Sequence, residues 1–437
     1  MRLPQELKRK LIGGGVGVIL IKVSGMVLTM ADSIVLVRIL GPEEYGTYAY
    51  VLAAITLISI PANLGLPTLV VRETARADTN KDWEHMAGVW RWSTIFIGAS
   101  SVALLLVSSF FVLLLSDNFS PAQLSTFMWG LFLIPIMALG NLRGASLRGL
   151  RKVVQGQLPE KVLRPGFLVL LLLPYLFVWP FGQLSASHAM ALHAFAGGIA
   201  LAIGIKLLWH HQPKELAKVT SVKFYHRAWL SSTLALALAS SLQIINKRAD
   251  ILMLGFFASA EDVGVYQVST QVTNLLAFGL GSINLLISPY IAKFYEQRML
   301  QRLQKIITFS ASIAFFVALL IGTILLLSGD KILEILFGEF YMRGHTALKI
   351  LAVGQLFNTF FGSVGFVLSM TGHELDVTKG VFGAAIINIL LNSLLVPQYG
   401  MVGAALSTAT SYAIWNILLW RSVRLKLRIK STALGLF

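Results

Sequence analysis

The chain contains no cysteine, which excludes disulfides, thiolate metal centres and cysteine nucleophiles together. Charge is scarce as well. Asp, Glu, Lys and Arg make up 13% of the 437 residues, about half the share that a soluble domain carries. A nucleotide-binding loop is also missing: no Gly-Lys-Ser or Gly-Lys-Thr occurs, and no connection between apolar runs is long enough to fold as a domain of its own. ATP hydrolysis within this chain is therefore excluded as a source of work. No metal site is expected either, because His188 and His193 are five apart, which places them on different faces of a helix, and His210 and His211 fall at a span end.

What is present is apolar sequence, 56% of the chain, in runs long enough to cross a hydrocarbon layer of about 30 Å as helices. The first run follows Lys8, Arg9 and Lys10 but is too long for a signal-peptide core and reads as retained. The pattern predicts an all-α membrane protein of about twelve transmembrane helices. The expected spans are 11–38, 44–66, 88–115, 122–142, 160–181 and 186–209, then 228–257, 262–290, 305–328, 346–370, 377–396 and 400–421. The net charge of +16 follows this topology. Alternate connections carry Arg72, Arg76, Arg148, Arg151, Lys152, Lys214, Lys218, Lys223, Arg298, Arg302 and Lys305, and the tail adds Arg421, Arg424, Lys426, Arg428 and Lys430. The opposite side offers little beyond Lys331, Arg343 and Lys349. The positive-inside rule then puts both termini in the cytoplasm, and anionic lipid headgroups rather than nucleic acid account for the basic surface.

Sliding the chain by 218 residues lays Ala31, Asp32, Leu36, Glu43, Gly46 and Tyr48 on Ala249, Asp250, Leu254, Glu261, Gly264 and Tyr266. The halves are therefore expected to be duplicates: a six-helix lobe over 1–212 and a second over 213–437, related by a pseudo-twofold axis along the membrane normal, with substrate bound between them. Part of this likeness is helix-end chemistry. Gly41, Pro42, Glu43 and Glu44 have the form of a helix start, and Ser259 with Asp262 resembles a capping box. Pro397, Gly400 and Gly403 read as a tight turn between the last two spans.

Ionisable residues inside a span are costly unless they face water or a partner, so they are the first functional candidates. Lys22 lies near the middle of span 1, with Asp32 and Arg38 beyond it. Lys247, Arg248 and Asp250 cluster in span 7, where Lys247 and Asp250 share a face and could pair. The set is net positive and would attract an anion, with Lys22, Lys247, Arg248 and Arg38 as substrate-binding cations. Asp32 and Asp250 are candidates for gating or proton coupling, or else simply neutralise the bases. Among polar residues in spans, Gln271, Asn274, Asn358 and Asn63 are the candidates for contacting sugar hydroxyls, since an amide donates and accepts at once. Interhelical hydrogen bonding is the ordinary account of the same residues.

The segment Leu40-Gly41-Pro42-Glu43-Glu44-Tyr45-Gly46-Thr47-Tyr48 resembles the opening signature of polysaccharide-transport flippases. They belong to the superfamily that includes multidrug and toxin extrusion exporters and peptidoglycan-precursor flippases. Leu147-Arg148-Gly149-Leu150 and the stretch from Asn392 through Pro397, Tyr399-Gly400 and Gly403-Ala404-Ala405 extend the likeness over nearly the whole chain. The resemblance implies a V-shaped pair of six-helix bundles working by alternating access in the bacterial inner membrane. It implies an oligosaccharide on undecaprenyl pyrophosphate as substrate, flipped to the outer leaflet for O-antigen, capsule or exopolysaccharide assembly, with membrane lipids and the polymerase and other assembly proteins of such a pathway as partners. No cofactor is implied; a proton or sodium gradient or the membrane potential stays open as the energy source. Two other classes remain: a cation-coupled small-molecule exporter of the same fold, which would favour a negative or aromatic cavity, and a membrane glycan polymerase or ligase, which would need a longer outer loop than residues 329–345 supply.

Overall fold

With few charges and no water to satisfy its peptide groups, a chain of this composition has to pair its backbone internally, and helices do so within one segment. A computed structural model of the protein, described over residues 5–177 and 184–435, contains helices and no strand among those residues. The first helix, α1 (Gln5–Ile58), is two arms joined where Gly41 takes φ 74° and Pro42 begins the second arm. Glycine carries the left-handed turn, and proline loses nothing at a first helical position because that N–H has no partner anyway. The second arm continues through α2 (Ile60–Asn63) and α3 (Leu66–Asn80), past left-handed residues at Leu64 and Gly65. There follow α4 (Trp83–Leu114), α5 (Pro121–Leu131) running into α6 (Leu133–Gly149), α7 (Val153–Leu158), a π turn over Pro159–Leu163, α8 (Arg164–Phe177) and α9 (Ala186–His211). The rest comprises α10 (His226–Phe257), α11 (Ala260–Glu296), α12 (Leu300–Phe337), α13 (His345–Phe361), α14 (Val364–Met370) and α15 (Glu374–Leu427), which breaks at Gly400.

Among the described residues, seven segments are long and apolar enough to cross a membrane, and two of them, Gly17–Asn63 and Glu374–Leu427, are bent in the middle and long enough to cross twice. The helices α7–α8, α10 and α11 complete the twelve expected crossings. The latter two carry Gln243, Asn246, Lys247, Arg248 and Asp250, and Gln271 and Asn274, polar groups that a span holds only against a partner or a wet interior. The expected outer loop over 329–345 is mostly helical: α12 kinks at Ser328 and runs on to Phe337, leaving a 3-10 turn over Glu339–Gly344.

Two compact units emerge, Met1–Ile244 and Ile245–Phe437. The first extends beyond residue 212 because the segment after α9 folds back onto the start of α4. Lys223 Nζ lies 3.1 Å from Glu84 Oε2 and 3.7 Å from Asp82 Oδ1, and the Ser221 hydroxyl donates to Glu84. The hydrogen bond to Glu84, then the charge of Asp82, hold the Lys223 ammonium above its usual range. Trp229 is buried and packs with His85 at 5.7 Å and Trp92 at 5.3 Å between ring centres. The close approach depends on Gly88, where a Cβ would fall 1.9 Å from the Lys223 carbonyl oxygen. Gly88→Val is therefore expected to lift this segment off α4 and lower the midpoint of thermal unfolding in detergent by several degrees, whereas Gly98→Val, at a glycine with open space around it, leaves the midpoint unchanged.

Candidate functional site: a buried polar network in each unit

In the first unit, helices α1, α6, α8 and α9 bring charge together. Glu160 sits in the π turn between α7 and α8, the kind of local overwinding that re-aims side chains and recurs at functional sites. It lies 3.7 Å from Arg143 Nη2 and 3.5 Å from Arg164 Nη1. Arg143 is almost fully buried against Gly204, where any side chain would collide with its guanidinium, and it donates to the Gly140 carbonyl at 3.3 Å. Asp32 stands on α1, which packs against the α8 that carries Arg164. Signs alternate from Arg143 through Glu160 and Arg164 to Asp32, so the network has no net charge. It is nonetheless incomplete: Arg143 Nε and Nη1, Glu160 Oε1 and Asp32 Oδ1 are buried with no hydrogen-bond partner in the protein. Each such buried atom left without a partner costs about 1–3 kcal/mol.

Beside it, the second arm of α1 places two tyrosines. Tyr45 shares a hydrogen bond with Ser33 at 2.8 Å, and Tyr48 one with His193 Nδ1 at 2.5 Å. Glu44 Oε2 accepts the Ala186 N–H at 2.5 Å and so caps the start of α9, a structural use of that acid.

The second unit solves the same problem differently. Asp250 is buried and its carboxylate is supplied by neutral donors from three other spans: Tyr266 Oη of α11 at 3.0 Å, Asn392 Nδ2 of α15 at 2.8 Å, and the Thr408 hydroxyl from beyond the α15 break. Asn392 Nδ2 also lies 3.1 Å from Asn388 Oδ1. A carboxylate with several donors is satisfied as the anion without a counter-cation. The expected pairing of Asp250 with Lys247 is not formed; Lys247 is exposed and no ion pair joins the two. At the far end of this helix pair, Glu261 and Asp262 of α11 meet Arg343 at 3.7 and 3.9 Å, and Ser259 caps the helix by accepting the Asp262 N–H at 3.2 Å.

The remaining candidates are spread out. Lys22 is half-buried and Arg38 exposed on the first arm of α1, ten and six residues from Asp32; Arg248 is half-buried beside Lys247 on α10. Gln271 is half-buried and Asn274 exposed on α11. Asn358 is engaged by other amides: it accepts from Asn416 at 2.9 Å and donates to Gln355 at 3.1 Å, tying α13 to α15. Asn63 donates to Ser59 at 3.3 Å within the α1–α2 break, leaving its Oδ1 buried and unpartnered. Sequence reading missed Arg143, Glu160 and Arg164 because spans placed at 122–142 and 160–181 put all three at membrane ends. The signal that would have found them is Leu147–Leu150, whose helix runs on to Gly149. Asn416 gave no sign beyond being one amide among many.

The polysaccharide biosynthesis protein family matches residues 13–295, and the MatE family matches residues 235–394. Among curated proteins, the chain is 25% identical over 412 residues to "Probable flippase AglR" of Haloferax volcanii, covering 90% of this chain and 79% of that one. It is 22% identical over 400 residues to "Putative O-antigen transporter" of Escherichia coli K12, covering 89% and 91%. Other likenesses are partial: the match to uncharacterized membrane protein MJ1068 of Methanocaldococcus jannaschii, 29% identical over 39% of this chain, spans 34% of that protein's length. Among solved structures, an inward-facing MATE transporter of the MOP superfamily superposes with a TM-score of 0.73 at 18% identity, over 92% of this chain and 94% of the other. The lipid II flippase MurJ in an inward closed conformation superposes with a TM-score of 0.71 at 13% identity, over 94% and 87%. These two likenesses establish the fold.

Proposed function

The chain belongs to the polysaccharide biosynthesis protein family, and from that premise we propose that it flips a lipid-linked oligosaccharide across the membrane. The finer reading is an undecaprenyl-pyrophosphate carrier moved from the cytoplasmic to the outer leaflet of the bacterial inner membrane by alternating access, with both termini cytoplasmic. The observation that carries the reading is that likeness to a flippase and to an O-antigen transporter extends over about nine-tenths of the chain rather than one helix pair. The cations are consistent with it. A pyrophosphate offers oxygens to which lysine and arginine donate charge-assisted hydrogen bonds, and Lys22, Arg38, Lys247 and Arg248 lie on the first helix of each half. Gln271, Asn274, Asn358 and Asn63 are the amides proposed for the sugars, with Asn358 the weakest because its amide already serves α13 and α15.

Energy coupling to a proton or sodium gradient, or to the membrane potential, is proposed to act through Asp32. Its unpartnered oxygen leaves room for a proton or cation that the donor-saturated Asp250 does not offer. Partners on this reading are the lipid-linked oligosaccharide, surrounding lipids and the polymerase that consumes the flipped unit.

Purified protein in liposomes with a fluorescent undecaprenyl-pyrophosphate oligosaccharide tests the proposal. Flipping is expected, and Lys22→Ala and Lys247→Ala are each expected to slow it about tenfold at unchanged protein level, the loss of one charge-assisted hydrogen bond to phosphate. Unchanged rates in both variants overturn the cationic assignment. The MatE match over 235–394 supports a second reading, an ion-driven small-molecule exporter. Gradient-driven uptake of a cationic dye without any flipping of the lipid would establish that reading instead.

A further inference from the structure

The polar segment that follows α15 does not lie on the surface. After α15 the backbone reverses at Arg428, which takes the left-handed conformation with φ 56° and ψ 36°. Beyond it Ile429, Ser431, Thr432 and Ala433 are all at most 2% exposed, while Lys430 and Leu434 point outward. This non-helical segment enters alongside α12 and the break between α13 and α14. Thr308 donates to the Lys430 carbonyl at 3.0 Å, Ser312 donates to the Ala433 carbonyl, and the Ala433 N–H donates to the Phe360 carbonyl at 2.8 Å. Thr308 and Ser312 stand eight and twelve residues past the start of α12, which is three and seven residues into the span expected over 305–328, or about 5 and 10 Å deep. Irregular backbone at such depth is tolerated only where protein buries it and supplies partners, which these three bonds do.

The place where the segment seats matters more than its burial. Span 10 is interrupted at Gly362, whose φ of 70° stops α13 and leaves its last carbonyls without helical partners. Phe360 is one of them, and the tail satisfies it. The approach is close: a Cβ on Gly362 would lie 3.0 Å from the Ser431 carbonyl oxygen and 2.8 Å from the Ala311 Cβ. The attachment is also light. Only Ile429 joins the apolar cluster of Leu303, Ile307, Phe361 and Val364, whereas Ser431, Thr432 and Ala433 are small. An element that buries little apolar area is among the first to open locally.

We propose that residues 429–433 are a detachable strap that holds the break in span 10 closed, and that its unseating frees α14 as a conformational step of the second unit. The test uses the absence of native cysteine. In membranes, Ala433→Cys as sole thiol is expected to react with a maleimide at least about tenfold more slowly than Leu434→Cys, as befits local protection. In full-length protein, adding Thr308→Ala and Ser312→Ala removes both hydroxyl donors and should bring the Ala433→Cys rate close to that of Leu434→Cys. Ser363→Cys reports on the break, since Ser363 is buried; it should react about tenfold faster in a chain ending at Leu427, or in the double-alanine variant if the shortened chain does not accumulate. Equal rates at 433 and 434 would show that the segment is not seated. An unchanged Ser363→Cys rate after the strap is removed or loosened would show that it holds nothing closed. Neither result bears on what the protein flips.

Discussion

Asp250→Ala is expected to leave little folded protein. The substitution strips the acceptor from Tyr266, Asn392 and Thr408, all buried, and from three helical segments that meet at this one carboxylate. Interhelical hydrogen bonds between neutral groups in membrane proteins average only about 0.6 kcal/mol, so neutral amides and hydroxyls would not produce a large loss. A charged acceptor raises the scale to about 1.5–3 kcal/mol per bond; the donors are not orphaned, since Tyr266 and Thr408 lie 3.3 Å apart and Asn392 still donates to the Asn388 carbonyl at 2.9 Å, so the loss is that of the bonds to the carboxylate. The sum is several kcal/mol against a typical total of about 5–15 kcal/mol. In detergent, Asp250→Ala should therefore aggregate or unfold well below the wild type, whereas Asp250→Asn, which keeps shape and one acceptor, should accumulate with a smaller loss. The measurement is thermal unfolding followed by size-exclusion chromatography. An Asp250→Ala protein that melts with the wild type would show that this network is not what joins these helices.

Much of the fold was legible before any coordinates. Runs of apolar residues mark the crossings, and Gly41-Pro42 and Gly400 mark the breaks inside α1 and α15. These are local signals, written within one or two helical turns. Ser259 before Asp262 announced a cap, and Ser259 caps. The polar networks are a different matter. Asp250 meets Asn392 and Thr408 across 142 and 158 residues of chain, and periodicity states which face a residue occupies, never which distant residue faces it. That is why Lys247, three residues away, looked like the partner of Asp250 and is not. Arg143 was hidden by an error of a few residues in a helix end, which moved a buried cation to the interface. The tail was hidden by composition: Lys430, Ser431 and Thr432 have the makeup of a solvated terminus, and their burial rests on donors from α12 that no local rule connects to them.

The matched aspartates show how far two copies of one segment can separate. Asp32 and Asp250 occupy the same place in the duplicated stretch, each sixteen residues before a tyrosine, Tyr48 and Tyr266. In the second unit that tyrosine donates to the aspartate at 3.0 Å; in the first, Tyr48 has turned to His193 at 2.5 Å. One carboxylate is thereby tied into hydrogen bonds from its neighbours while the other keeps a buried oxygen with nothing to accept from. A group used for coupling has to change its bonding during a cycle, and only the second arrangement leaves it free to do so.

Asp32→Asn follows from that contrast and should behave as the inverse of Asp250→Ala. The change costs no satisfied hydrogen bond at Oδ1 but leaves Arg143 and Arg164 sharing the single Glu160, so folded yield should hold with at most a modest drop in unfolding temperature. Transport should nevertheless fall by about tenfold or more, because a neutral amide cannot alternate between a charged and a protonated state, and a barrier raised by about 1.4 kcal/mol already slows a step tenfold. Flipping in liposomes with and without an imposed proton or sodium gradient separates the two roles of this residue. If Asp32 couples transport to the gradient, the variant loses the acceleration that the gradient gives the wild type and keeps a slow, gradient-independent rate. If Asp32→Asn flips as fast as the wild type and still responds to the gradient, coupling does not pass through this carboxylate, and the network of Arg143, Glu160 and Arg164 around it serves only to hold the first unit together.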